Sequence, residues 1–188
     1  MRTNWALMVV GMRMRDLVFL DESGVTTEML RRYGRTVGGG RVHDDAPQRW
    51  RSLTLLGAVS LEGWVGTMTV EAATDGDVFL TYLDQVLCPA LQPHHVVVMD
   101  NLSAHKVDGV RQRIEATGAT LLYLPPYSPD LNPIELCWAQ VKQILRTLKA
   151  RTVDQLEAAV KQALAALTPA QALGFFRHFG YVAQASTQ

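Results

Sequence analysis

Three acidic residues stand where carboxylates can act together. Asp21 follows the apolar run 17–20 and Asp100 follows the apolar run 96–99, so each sits at the carboxyl end of an expected buried strand. Open α/β sheets keep their binding crevice at such strand ends. The third acid, Glu135, closes the segment Leu124-Pro125-Pro126-Tyr127-Ser128-Pro129-Asp130-Leu131-Asn132-Pro133-Ile134-Glu135, a rigid proline-rich approach to an expected helix. Two aspartates and a glutamate are hard oxygen donors, sufficient with phosphate oxygens to hold two Mg2+ ions that retain several waters. Two such ions about 3.5–4 Å apart activate an attacking oxygen and stabilise a departing one in phosphodiester hydrolysis or transfer. Each acid also has a plainer reading. A strand-end aspartate often caps the next helix or opens a turn. Asn132 as N-cap, Pro133 at the first helical position and Glu135 three residues beyond the cap have capping-box spacing, in which Glu135 only stabilises the helix start.

The elements that must position these acids follow from periodicity. Residues 17–20 form a first strand ending at Asp21-Glu22-Ser23-Gly24. Residues 53–59 and 64–70 are β-rich runs joined by Ser60-Leu61-Glu62-Gly63, an antiparallel hairpin signal. After the capping residues Thr74-Asp75-Gly76-Asp77, the apolar residues Val78, Leu80, Tyr82, Leu83, Val86 and Leu87 fall at near-helical spacing until Pro89 and Pro93. Residues 96–99 form a buried strand, 106–117 a helix stopped by Gly118, and 120–124 another strand. Helices are expected near 133–149, 153–167 and 169–178. Three antiparallel strands followed by parallel additions is the ribonuclease H-like order, an α/β fold with a mixed central sheet flanked by helices.

Composition bounds the rest. With 188 residues, 48% of them hydrophobic, the chain can bury one core without disulfides or structural metal. Lys plus Arg equal Asp plus Glu, at 18 each, so net charge gives no sign of a nucleic-acid partner and only charge placement can. Residues 31–51 carry six arginines against two aspartates and read as a basic loop. Glu135, Trp138, Lys142, Arg146 and Lys149 recur every three or four residues, so one helix face carries an acid followed by a basic stripe. Cys88 and Cys137 match no paired metal-ligand spacing and read as buried apolar fillers of a reducing compartment. Nothing approaches membrane-spanning length, and the apolar run 5–11 lacks the cleavage site of a signal peptide.

Three segments carry a resemblance to a known family: Phe19-Leu20-Asp21-Glu22-Ser23-Gly24, Val98-Met99-Asp100-Asn101-Leu102-Ser103-Ala104-His105-Lys106, and 124–135. In this order they resemble the three blocks of DDE-type transposases of bacterial insertion sequences in the mariner superfamily. The 34 residues between Asp100 and Glu135 match that superfamily's separation, and Phe176-Arg177-His178-Phe179-Gly180-Tyr181 resembles its C-terminal end. The resemblance implies that Asp21, Asp100 and Glu135 are the catalytic, metal-binding triad for two Mg2+ ions, replaceable by Mn2+, with Asp100 bridging both. Asn101 and His105 match the second block and are expected to support the site. Glu22, pointed away from Asp21 by strand alternation, is expected to act behind it. Arg31, Arg32, Arg35, Arg41, Lys106, Trp138, Lys142, Arg146 and Lys149 are the expected DNA contacts.

The implied activity is metal-dependent cleavage at transposon ends and 3′-hydroxyl strand transfer into target DNA, at TA dinucleotides, by a homodimer in a synaptic complex. Relatives place a helix-turn-helix region before the catalytic domain, and the sixteen residues before the first strand cannot hold one. The expected organisation is a remnant or linker over 1–16, the catalytic domain over 17–182 and a disordered tail over 183–188, with a separate chain as a possible source of the helix-turn-helix. A bacterial cytoplasmic protein acting at the nucleoid is expected. Two alternatives stay open: a catalytically silent truncated transposase regulating by DNA or partner binding, and an unrelated ribonuclease H-like hydrolase of hybrid strands.

Overall fold

The computed structural model describes residues 5, 11–30, 38, 47–71, 73–101 and 108–181. Five strands form one sheet: β1 (Leu17–Thr26), β2 (Ser52–Ser60), β3 (Gly63–Val70), β4 (Val96–Met99) and β5 (Thr120–Tyr123), in the spatial order β3-β2-β1-β4-β5. Pairing is antiparallel from β1 to β3 and parallel from β1 through β4 to β5. This is the ribonuclease H-like arrangement expected from the element order.

Side-chain alternation along β1 divides the interior in two. Leu17, Phe19 and Val25 enter one core cluster, and Val18 and Leu20 enter the other. The first cluster lies under α3 (Ile134–Leu148), α4 (Val153–Ala165) and α5 (Pro169–His178). The second lies under α1 (Gly76–Tyr82) and α2 (Val110–Ala116). Each fully buried Leu or Phe contributes roughly 1.5–3 kcal/mol, so both helical layers are held to the sheet mainly by apolar burial. Phe19 is clamped at its ring by Phe176 and Tyr181, with centroids 5.3 and 5.0 Å away, both edge-on.

Local signals explain most boundaries. Asp75 accepts the Val78 amide at 2.9 Å and starts α1. Thr152 caps α4, and a Thr168–Gln171 capping box starts α5. Three expectations need correction. The apolar helix over 78–87 is α1 followed by a π-helical turn, Leu83–Leu87, and a 3₁₀ turn, Cys88–Ala90. The described part of the helix expected from 106 starts only at Val110, behind Gly109 at φ +93°, a conformation outside the helical region. Strand β1 does not stop at Asp21, because its pairing with β2 carries it on to Thr26.

The segment before β1 contributes to the core. Trp5 and Met14 are buried there, and the Trp5 indole donates to the Tyr181 hydroxyl at 3.3 Å. Cys137 is buried and Cys88 half-buried. Among the described residues no helix is long and apolar enough to cross a membrane.

Candidate active site

Strand register sets the two aspartates side by side. Leu20 is in parallel register with Met99, so Asp21 and Asp100 are the next residues along neighbouring strands. Beyond that point β1 continues against β2 alone, with Asp21 opposite Gly57, and a cleft opens on the side that β4 has left. Asp21 is 8% exposed. Its Oδ1 accepts the Glu22 amide at 2.8 Å, and its Oδ2 lies 3.5 Å from Asn132 Nδ2.

The third acid arrives from the other side of the cleft. After β5 the Leu124 amide donates to the Met99 carbonyl at 2.8 Å, keeping the chain beside β4 as it enters the proline-rich segment. A 3₁₀ turn, Pro129–Leu131, then leads to α3. The Tyr181 hydroxyl donates to the Leu131 carbonyl at 2.7 Å, and burial holds that phenol above its ordinary pKa, so it remains a donor. Glu135 occupies the exposed first turn of α3, where the helix dipole favours a carboxylate.

The capping box of the plainer reading does not form. Pro133 stands at the cap position, and no side chain caps the helix. Asn132, 3% exposed, instead turns its amide toward Asp21, a role that the capping spacing concealed.

Asp21, Asp100 and Glu135 line one cleft of about 360 Å³, together with Asn101, Asn132 and the segment from Leu124 to Pro129. Among the described residues no three acidic, histidine or cysteine side chains converge as a single ion cluster. The donor set nevertheless fits Mg2+, which commonly takes one or two carboxylates and completes its shell with water and substrate phosphates. The wall supplies carboxylates from β1, from the end of β4 and from α3, and the cleft has room for the remaining oxygens.

The other expected site residues divide. Asn101 lines the cleft. Glu22 belongs by strand alternation to the opposite face of the sheet, and its Oε2 is buried without a hydrogen-bond partner among the described residues. Lys142 and Arg146 line a second cleft of about 310 Å³ that shares Glu135 with the first. Lys149 ends α3 in a left-handed conformation at φ 54°. Trp138 lines that second cleft as well, but it is 2% exposed, with its ring centroid 4.7 Å from that of Trp64, because this position of α3 faces the sheet. Arg31, Arg32, Arg35, Arg41, His105 and Lys106 lie outside the described residues.

Sequence reasoning missed the role of Gly57. A Cβ there would stand 2.7 Å from the Trp138 ring and 2.9 Å from the Trp64 ring, so the bare backbone lets both indoles lie against β2. A glycine inside a β-rich run was the available signal for this close approach.

Comparisons with known proteins bear on the family and the fold. The family model described as DDE superfamily endonuclease matches residues 16–157. No curated protein sequence matches the chain. A pre-cleavage Mos1 transpososome superposes with a TM-score of 0.76 at 16% identity, covering 95% of this chain and 56% of that one. A mariner Mos1 paired end complex with Mg gives 0.73 at 18% identity, covering 95% and 56%. The catalytic domain of Mos1 mariner transposase gives 0.68 at 16% identity, covering 95% and 82%. The chain thus spans little more than half of the longer Mos1 chains and most of the catalytic-domain chain.

Proposed function

Because this chain belongs to the DDE superfamily endonuclease family, we propose that it is the catalytic domain of a DNA transposase, cutting DNA at transposon ends and joining the freed 3′ ends to target DNA. The observation that carries this reading is the convergence of Asp21, Asp100 and Glu135, from three separate elements, on one cleft.

Asp21, Asp100 and Glu135 are the residues that would hold the two Mg2+ ions, or Mn2+ in their place. When bound, such ions supply Lewis-acid activation of the attacking oxygen and charge stabilisation of the departing one. The chain's own contribution is placement. Backbone register holds Asp21 beside Asp100, the Glu22 amide and the Asn132 side chain orient the Asp21 carboxylate, and the Tyr181–Leu131 bond anchors the segment leading to Glu135. With that frame fixed, water and then a 3′ hydroxyl can be aligned for the same in-line displacement at phosphorus.

Lys142 and Arg146 line the cleft that continues from Glu135 and are assigned to neutralise DNA phosphates, with Lys149 at the end of the same helix. Arg31, Arg32, Arg35, Arg41 and Lys106 are assigned to the same task, with Asn101 and His105 supporting the site and Glu22 acting from behind the sheet. The structural likeness to a transpososome and a paired end complex supports a homodimer working on two ends. End selection is assigned to a helix-turn-helix module outside the catalytic fold, in the same product or in a separate chain, with the protein acting at the bacterial nucleoid in the cytoplasm.

Nicking of supercoiled DNA with Mg2+ or Mn2+, by the wild type beside Asp100→Asn and Glu135→Gln, tests the reading. Both substitutions are expected to abolish nicking while leaving the circular dichroism spectrum intact. A folded wild type that nicks nothing, even beside a full-length transposase, would instead identify a silent regulator.

A further inference from the structure

Tyr127 is 97% exposed, although it is a large aromatic residue on the wall of the cleft that holds Asp21, Asp100 and Glu135. Its backbone lies at φ 53°, a region that residues with a Cβ rarely adopt. The surrounding chain is stiff. Pro125 and Pro126 precede it with restricted backbones, and Pro129 follows closely. Between them Ser128 is buried, its hydroxyl donating to the Pro126 carbonyl at 3.2 Å. An unfavourable backbone thus holds an aromatic ring out in water beside a reaction cleft, a combination that folding alone does not favour and that is typical of functional positions.

We propose that Tyr127 is a stacking platform for an unpaired nucleobase next to the scissile phosphate. The inference rests on the DNA reading above. Cutting a strand at the cleft leaves a free 3′ end whose terminal base can leave the duplex stack, and a base out of the stack needs a new apolar face. An exposed aromatic ring supplies one for any base, since every base has a π face. The wall beside it, Leu124, Pro125 and Pro126, is apolar and adds no hydrogen-bonding code, so the platform should tolerate any sequence.

The test uses a duplex with a single-stranded 3′ flank whose first unpaired base is 2-aminopurine, with Ca2+ in place of Mg2+. Wild type, Tyr127→Phe and Tyr127→Trp should quench the 2-aminopurine fluorescence and bind alike. Tyr127→Ala should lose most of the quenching and bind about tenfold more weakly, the scale of one lost stacking contact. Tyr127→Gly, which suits the left-handed backbone, should be at least as stable as wild type and lose the quenching too. Quenching by Tyr127→Ala equal to wild type overturns the proposal, as does a Tyr127→Phe that fails like Tyr127→Ala, because the hydroxyl would then be the contact. Wild type that quenches through Tyr127 yet never nicks plasmid DNA removes the nuclease reading and leaves the platform standing. Absence of any DNA binding overturns both.

Discussion

Asn132 Nδ2 stands 3.5 Å from Asp21 Oδ2, joining residues 111 positions apart at the floor of the cleft. Asn132 Oδ1, on the other arm of the amide, is buried without a hydrogen-bond partner among the described residues. An amide held beside a carboxylate fixes the direction of its lone pairs, and in metal sites the loss of such a supporting group commonly costs roughly 10–100-fold in metal affinity or activity.

Asn132→Ala is therefore expected to weaken Mn2+ binding and plasmid nicking by roughly 10–100-fold. Its stability should change by less than about 1.5 kcal/mol, because one long hydrogen bond and one unsatisfied buried oxygen disappear together. Calorimetric titration with Mn2+ and thermal melts separate the two effects. Unchanged Mn2+ affinity would remove Asn132 from the site.

Gly57→Ala should be destabilising by about 1–3 kcal/mol, since its methyl would enter the space of the Trp138 and Trp64 rings. Trp138 lies three residues after Glu135 on α3, so displaced indoles should also move the third carboxylate. The expected result is a lower urea midpoint, altered tryptophan fluorescence and reduced nicking under conditions where the variant stays folded. Wild-type fluorescence and stability would show that β2 and α3 can absorb the methyl group.

Tyr181→Phe removes the donor to the Leu131 carbonyl and the acceptor for the Trp5 indole, while keeping the ring that packs on Phe19. About 1–3 kcal/mol of stability should be lost through the stranded buried groups. Amide exchange in the segment leading to Asn132 should quicken, and nicking should fall. Exchange unchanged around Leu131 would mean that the hydroxyl does not anchor this segment.

Burial pushes the Cys137 thiol up to about 12. A thiol raised on folding adds stability that is fully present below its unfolded pKa, around 8.5–9, and is lost as pH rises through the folded value. The buried Tyr181 phenol, also raised by desolvation, acts in the same direction. Denaturant midpoints should hold steady up to about pH 8.5 and fall above it. Ellman's reagent at pH 8 should label Cys137 only after unfolding. Rapid labelling of Cys137 in the native protein would show that the site is open to solvent.

Much of this protein was legible along its sequence, because strand periodicity, hairpin glycine and proline stops are local signals. They placed β2, β3, β4 and β5 and the start of α5 close to where they lie, and the apolar runs before Asp21 and Asp100 marked both acids. The continuation of β1 past Asp21 was not local: it depends on pairing with β2, which begins 26 residues after β1 ends at Thr26. Spacing alone offered Asn132 as a helix cap and set Trp138 in line with Glu135, Lys142 and Arg146. Packing turned Asn132 to Asp21 and buried Trp138, since a buried carboxylate needs a partner and α3 needs an apolar face against the sheet. What the amino-acid order determined was which carboxylates could act and which elements would carry them. Only the tertiary structure decided that register would set Asp21 beside Asp100, and that Gly57 would let α3 settle close enough to bring Glu135 to the same cleft, because those distances are set by contacts between residues far apart in the chain.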